Sequence, residues 1–348
     1  MGDSEATTVT PIVAFFNNKG GVGKTSLVFH LAWMYADMGA RVLAVDLDPQ
    51  ANLTGMFLTD LEMEIVWPDR AEDRSSVLGA VYPLISGTGD IAEARIQNCG
   101  ESIGLLAGDL GLSRFEDTLA EAWPRCFGGD ERAFRVMTAF HRVVTGACRK
   151  FRAEVALVDL GPNLGAINRA ALITASHFAV PLGPDLFSLQ GLRNLGPTIR
   201  RWRTDWISML EKAPQGVFGP EDLPAGTIEP IGYVFMRHSI RRDRPVQAYA
   251  RWMDRMPGEY SHAVLDEQVN MPEGLDFDTD PNCLALLKDY RSLMPMAQEA
   301  NKPMFKLTPA DGAFGGHQSS VQACYWDFAK LAEGIGERIG VSASWDPC

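Results

Sequence analysis

Between Phe15 and Ser26 the chain reads FFNNKGGVGKTS, a glycine-rich loop held between two runs that read as regular structure. Ahead of it, Ile12, Val13, Ala14, Phe15 and Phe16 form a short continuous apolar run, the pattern of a strand buried on both faces of a parallel sheet. Behind it, Leu27, Val28, Leu31, Met34 and Tyr35 recur at helical spacing as far as Gly39, which reads as a C-terminal cap. A strand, a glycine loop and a helix in that order predict an α/β fold built on a mostly parallel twisted sheet with helices on both faces.

Within the loop, Gly23-Lys24-Thr25 supplies the end of the phosphate-loop pattern G-x-x-x-x-G-K-[ST]. Counting back puts Asn18 at its first position, so the pattern holds only with that glycine relaxed. Lysines stand at both ends of the glycine core, Lys19 and Lys24. The backbone N–H groups of Gly20, Gly21, Val22 and Gly23, with Lys24, Thr25 and Ser26 at the helix start, converge on one anion. Lys24 is then expected to reach the β- and γ-phosphates of ATP, and the Thr25 hydroxyl to ligate Mg²⁺.

A second apolar strand, Arg41 to Val45, delivers Asp46-Leu47-Asp48-Pro49-Gln50 at its C-terminal end, the edge where ligands bind in open parallel sheets. Residues Glu154 to Leu160 repeat the design and end in Asp159, a Walker B position that would serve the metal. On the residues alone, Asp46 and Asp48 are interchangeable between metal and water.

The totals exclude several classes. A net charge of −12 sets the field of the whole molecule against nucleic acid and anionic membranes. The 6 cysteines include no C-x-x-C pair, which argues against a zinc ribbon or redox dithiol and fits a reducing, cytoplasmic setting. Neither a secretion signal nor an apolar run of membrane-spanning length is read in the sequence.

NNKGGVGKTS followed by RVLAVDLDPQANLT resembles the ParA/MinD family of deviant-Walker P-loop ATPases, and most closely its ParA branch, with K-G-G-V-G-K-T and D-x-D-P-Q-x-x-x-T signatures. The resemblance implies a single ParA-like domain over residues 1–348, ATP and Mg²⁺ as cofactors, and a homodimer in the ATP state. Lys19 matches the family's extra lysine, which crosses to the partner's nucleotide and neutralises charge there as arginine fingers do. Asp48 matches the residue that orients the attacking water, and Asp46 one near the Mg²⁺ shell. Met236 and Arg237 fall where the family contacts adenine, although their identities differ. After Asp159 the chain has Leu160-Gly161-Pro162-Asn163 in place of the family's usual residues, an unusual switch loop.

Elsewhere the segment at about 60–150 is longer than the family needs, with a strand expected at Ser102–Gly108 and helices from Phe115 to Arg152 broken at Pro124 and at Gly128-Gly129. The stretch Ala297–Leu307 resembles the family's final strand with its preceding helix, and Val321–Ile339 reads as a C-terminal amphipathic helix without the basic face of a membrane anchor. Residues 191–255 carry 11 Arg/Lys against 7 Asp/Glu, a local +4. Arg241, Arg242, Arg244 and Arg251 are its candidates for non-specific contact with DNA phosphates. The function implied is an ATP-dependent dimerisation switch with weak, partner-stimulated ATPase activity that binds DNA non-specifically and segregates or positions plasmid, chromosome or other cargo, with a separate ATPase-stimulating or cargo-adaptor protein, in the cytoplasm and on the nucleoid. Alternatives are a nucleotide-dependent scaffold or filament and a MinD-like membrane-positioning ATPase. A nitrogenase-iron-protein type is disfavoured because Asp159 is followed by no cluster-holding cysteine.

Overall fold

The computed structural model describes residues 9–238, 240–241, 244–245, 251–267, 279–290 and 292–341, with backbone alone at 237–238, 240–241 and 244–245. Ten strands are present among them: β1 (Ile12–Phe15), β2 (Val42–Asp46), β3 (Gln97–Asn98), β4 (Ile103–Leu106), β5 (Val155–Asp159), β6 (His177–Leu182), β7 (Glu229–His238), β8 (Ile240–Arg241), β9 (Arg244–Pro245) and β10 (Cys283–Lys288). Eight make one sheet in the order β10-β7-β6-β1-β5-β2-β4-β3, and β8 and β9 pair as a separate ribbon. Every pairing in the large sheet is parallel except that of β3 on β4.

The strands read as unbroken apolar runs because both faces are covered. Along β1, Ile12, Ala14 and Phe16 enter one core, while Val13 and Phe15 enter the other. The second core receives α1 (Lys24–Asp37), α2 (Asn52–Phe57), α3 (Asp60–Val66) and the C-terminal helix Gly316–Ile339. Tyr35 Oη on α1 donates to Ala332 O across this layer at 2.9 Å. The first core receives α4 (Val77–Ser86), α5 (Phe115–Cys126), α6 (Glu131–Met137), α7 (Ala139–Phe151), α8 (Ala166–Thr174) and the 25-residue α9 (Leu186–Leu210). Each large side chain fully buried in these layers contributes about 1.5–3 kcal/mol from removal of apolar surface.

Three expectations are corrected here. Pro124 does not break its helix: α5 runs through it to Cys126, because Pro124 and Ala120, whose carbonyl loses its usual partner, are both exposed to water. Gly128 and Gly129 do end it, Gly129 with φ 73°. The stretch Ala297–Leu307 is not a strand. It closes the helix Leu293–Ala300 through Asn301 at φ 47° and continues as a 3₁₀ turn at Met304–Lys306, whose Met304 and Phe305 are buried. Among the described residues the final strand is β10, upstream of it. The C-terminal helix also starts earlier than Val321, at Gly316. The 60–150 segment holds α3 to α7 with β4 and the edge strand β3. Among the described residues no helix is long and apolar enough to cross a membrane.

Candidate functional site

β1, β5 and β2 are neighbours, and in register Phe15 stands beside Asp159 and Asp159 beside Asp46. All three strands therefore end at one edge, with two carboxylates side by side and the glycine loop starting next to them. Within that loop Gly21 (φ 73°) and Gly23 (φ 94°) adopt the left-handed conformation that side chains disfavour. Gly23 also ends the loop close to Met236, whose Cε a Cβ there would meet at 3.1 Å.

Lys24 opens α1 and folds back into the loop, its Nζ donating to Asn17 O and Lys19 O at 3.2 Å each. It is 6% exposed, and burial lowers the pKa of its amine, an effect opposed by the charges of Asp159 and Asp48. Thr25 and Ser26 follow in the first turn of the helix. Gly20 and Gly21 are exposed at the loop's outer rim, and Val22 is buried beneath it.

The three acids have different surroundings. Asp46 is fully buried: its Oδ2 accepts from Thr54 N at 2.8 Å and Thr54 Oγ1 at 2.7 Å, and its Oδ1 from Asp48 N at 3.3 Å. Thr54 Oγ1 in turn accepts from Gly108 N at 2.8 Å, so the threonine of the D-x-D-P-Q-x-x-x-T signature ties β2 to the end of β4. Both Asp46 oxygens thus serve the loop that follows β2. Asp48 lies at the rim, 7% exposed, its Oδ1 accepting from Gln50 N at 3.0 Å. Asp159 is fully buried, and neither of its oxygens has a hydrogen bond of good geometry, although the Thr25 hydroxyl lies close enough to favour its charged form. Burial and the neighbouring acids hold both Asp46 and Asp159 well above the ordinary carboxylate range.

An unpaired buried carboxylate next to a threonine hydroxyl at a helix N-terminus fits a hard divalent cation completed by water and phosphate oxygens. Among the described residues no group of three or more His, Cys, Asp or Glu side chains is placed to hold a metal by itself.

Lys19 turns away from the phosphate loop. Its Nζ forms an ion pair with Asp185, the residue that also caps α9 by accepting Ser188 N at 3.0 Å. The Lys19 ammonium also lies 5.8 Å from the ring centre of Phe187, which is 72% exposed. Its neighbours face the same way: Asn17 Nδ2 donates to Pro181 O at 2.7 Å, and Asn18 Oδ1 would lie 2.7 Å from a Cβ on Gly191. Asn18, where the pattern lacks its glycine, is therefore matched by a glycine on α9. The loop after β5 lies opposite, with Pro162 near Gly20 and Gly161 against Asp48. Asn168 Nδ2 donates to Gly161 O at 2.8 Å and Asn163 O at 2.6 Å, fixing that loop from beneath.

Two cavities meet at this edge. One of about 760 Å³ is lined by Gly20, Lys24, Thr25, Asp48 and Pro162 and extends to Met63 and Trp67. The other, of about 260 Å³, adjoins Gly23 and Ser26 and is walled by Met236, Leu287, Tyr290, Met294 and Phe328. Sequence reasoning located Met236 but missed the wall from residues 287–294, because the final strand was expected further along. Side chains of Arg237, Arg241 and Arg244, and all of Arg242, lie outside the described residues. Arg251 is exposed, and its guanidinium lies 4.6 Å from the ring centre of Trp252, which Arg255 also faces at 5.6 Å.

A parallel sheet with a lysine-ended glycine loop between strand and helix, and acids on the adjoining strand ends, defines a P-loop nucleotide-binding α/β protein. The family described as AAA domain matches residues 10–212, well over half of the chain. The chain belongs to this family, and within it to the ParA/MinD group of deviant-Walker P-loop ATPases. It is 28% identical over 201 residues to the chromosome partitioning protein ParA of Caulobacter vibrioides, covering 58% of this chain and 66% of the relative. Protein IncC of Escherichia coli is 30% identical over 190 residues, 54% of this chain and 45% of that protein. The chain thus spans slightly under two thirds of the one relative and about half of the other. Among solved structures, protein DIP2308 of Corynebacterium diphtheriae superposes with TM-score 0.66 at 26% identity, over 84% of this chain and 97% of that one. An ATP complex of a variant of Cyanothece McdA shares the fold, with TM-score 0.62 at 15% identity over 96% and 98% of the two chains.

Proposed function

We propose that this chain is a ParA-type switch that binds ATP with Mg²⁺, closes as a homodimer in the ATP state, and reopens on slow hydrolysis stimulated by an adaptor or cargo protein. The observation that carries the reading is the buried Lys24 beside the unpaired Asp159 carboxylate, at the edge where the glycine loop leaves β1.

In this reading the N–H groups from Gly20 to Gly23 and the ammonium of Lys24 hold the phosphates, exchanging two backbone carbonyls for phosphate oxygens. Thr25 and Asp159 hold the Mg²⁺, with Asp46 behind them fixing the loop that presents Asp48. The bound cation supplies charge neutralisation for phosphoryl transfer. Asp48, at the rim and facing the larger cavity, orients the attacking water. The smaller apolar cavity accepts the base between Met236, Leu287 and Met294. Lys19 leaves Asp185 to reach the nucleotide of the second copy.

The basic region around Arg241, Arg242, Arg244 and Arg251 gives the dimer its non-specific hold on nucleoid DNA, within an otherwise acidic cytoplasmic protein. Phosphate release and molar mass in solution, each measured with ATP, ADP and no nucleotide, test the switch. Gel shifts under the same three conditions at one stated salt concentration test the DNA contact. Equal mass with ATP and with ADP would refute the dimer reading.

A further inference from the structure

Following the loop Leu160–Gly165 outward from the site leads to a side chain with no role so far. Glu116 lies in the first turn of α5, within the long segment between the Asp46–Asp48 turn and Asp159. Its Oε1 accepts from Ala166 N at 2.5 Å and its Oε2 from Ile167 N at 2.9 Å, so one carboxylate takes the first two free N–H groups of α8.

The residue before those two shows how closely the carboxylate approaches. Gly165 has φ −79° and ψ −177°, a conformation open to any residue, so the backbone does not require glycine there. A Cβ at Gly165 would stand 2.5 Å from Glu116 Oε1 and 2.8 Å from Asn163 Oδ1. The space is already filled by the clamp. Asn163 Oδ1 in turn accepts Gly165 N at 2.9 Å, and Asn168, one residue beyond Ile167, holds the carbonyls of Gly161 and Asn163. Glu116 is thus the outermost member of a chain of contacts that ends with Pro162 near Gly20 and Gly161 against Asp48. The same helix is fixed to α8 a second time, where the Arg169 guanidinium lies 4.3 Å from the ring centre of Trp123.

We propose that Glu116 is a positioning residue for hydrolysis: it holds the start of α8, and through it the loop Leu160–Gly165, in the register that sets Gly161 against Asp48. This rests on the ATPase reading above. It also gives part of the long 60–150 segment a task at the site, since the segment supplies the clamp.

The test compares wild type, Glu116→Ala, Glu116→Gln, Gly165→Ala and the double variant Glu116→Ala/Gly165→Ala in steady-state phosphate release, with ATP binding and thermal midpoint measured alongside. Displacement of a catalytic group by about 1 Å costs up to roughly a hundredfold in rate. Glu116→Ala and Gly165→Ala are each expected to lower kcat by between about tenfold and a hundredfold, with the dissociation constant for ATP within about threefold of wild type. Glu116→Gln, which keeps one acceptor oxygen, falls between. Gly165→Ala added to Glu116→Ala lowers kcat by much less than it does alone, because the nearer of the two oxygens it would strike is gone and only the Asn163 Oδ1 contact remains. A cap of purely structural importance would lower the thermal midpoint and leave kcat at wild type, which would overturn the proposal, as would additive losses in the double variant. Wild type that bound ATP without hydrolysing it would bring down the ATPase reading and this inference together. Active wild type with unchanged variants would bring down the inference alone.

Discussion

Lowering the pH should weaken this fold through its wholly or partly buried imidazoles, His141 and His177 among them and His30 above all. His30 lies on α1, fully buried, with its ring 4.9 Å from that of Phe328 and stacked on it. Its Nδ1 donates to Ser26 O at 2.6 Å and its Nε2 accepts from Met304 N at 3.0 Å, so the hydrogen bonds specify a neutral ring with its proton on Nδ1. A second proton would meet the Met304 N–H head on. Burial therefore lowers the imidazole from 6.5 to about 4. As the pH falls below 6.5 the unfolded chain binds this proton first, so stability is lost progressively down to about pH 4 and is level above pH 7. The gap between the two values sets a ceiling of about 3 kcal/mol on the loss. Asp46 and Asp159 act with the opposite sign. Their raised pKa values mean that the folded chain holds protons longer, so their effect is lost as the pH rises. The His30 contribution is isolated by comparison with His30→Gln, which keeps an acceptor for Met304 N and does not titrate. Urea unfolding of both proteins between pH 4 and 8 should give a difference that is flat above pH 7 and closes by about 3 kcal/mol towards pH 4, against wild type. Parallel curves would refute the reasoning.

Three further outcomes are expected. Lys24→Ala removes a charge-assisted contact of about 2–3 kcal/mol to the phosphates and should weaken ATP binding about a hundredfold in a fluorescent-nucleotide titration. Asp48→Ala should bind ATP as wild type does and remain dimeric in size-exclusion chromatography with light scattering, because water is no longer oriented. Hydrolysis at the wild-type rate would contradict the assignment. Asp185→Ala releases Lys19 from its partner, and the ATP concentration giving half-maximal dimer should fall, whereas an unchanged value would show that the ion pair does not restrain Lys19.

The phosphate loop, the acids and the strands that present them were legible because each is written in consecutive residues: apolar run, turn, charged end. The contacts that cross the sheet were not. Asp185 is 166 residues from Lys19, and nothing in the sequence around either announces the other. The 287–294 wall was hidden for a different reason. Met304, Phe305 and Leu307 look like strand residues, but they are buried by a 3₁₀ turn against the C-terminal helix, whereas the strand is β10, where Cys283 to Leu287 form an unbroken apolar run. Pro124 misled because it and Ala120, whose carbonyl it leaves without a helical partner, are both exposed, so water can take the place of the lost hydrogen bond.

Asn17, Asn18 and Lys19, three consecutive residues of the phosphate loop, each touch the turn from β6 into α9 or the first turns of that helix. A helix of 25 residues is a rod about 37 Å long. Farther along, its Arg193 pairs with Glu259 and its Arg200 donates to Ala263 O, so it also bears the helix Met256–Ala263 that follows the arginine-rich stretch. A tilt of about 3° at the anchored end would carry the far end about 2 Å over that length. The loop's least conventional residues are thus the fulcrum of a lever, whose long arm reaches the opposite side of the protein.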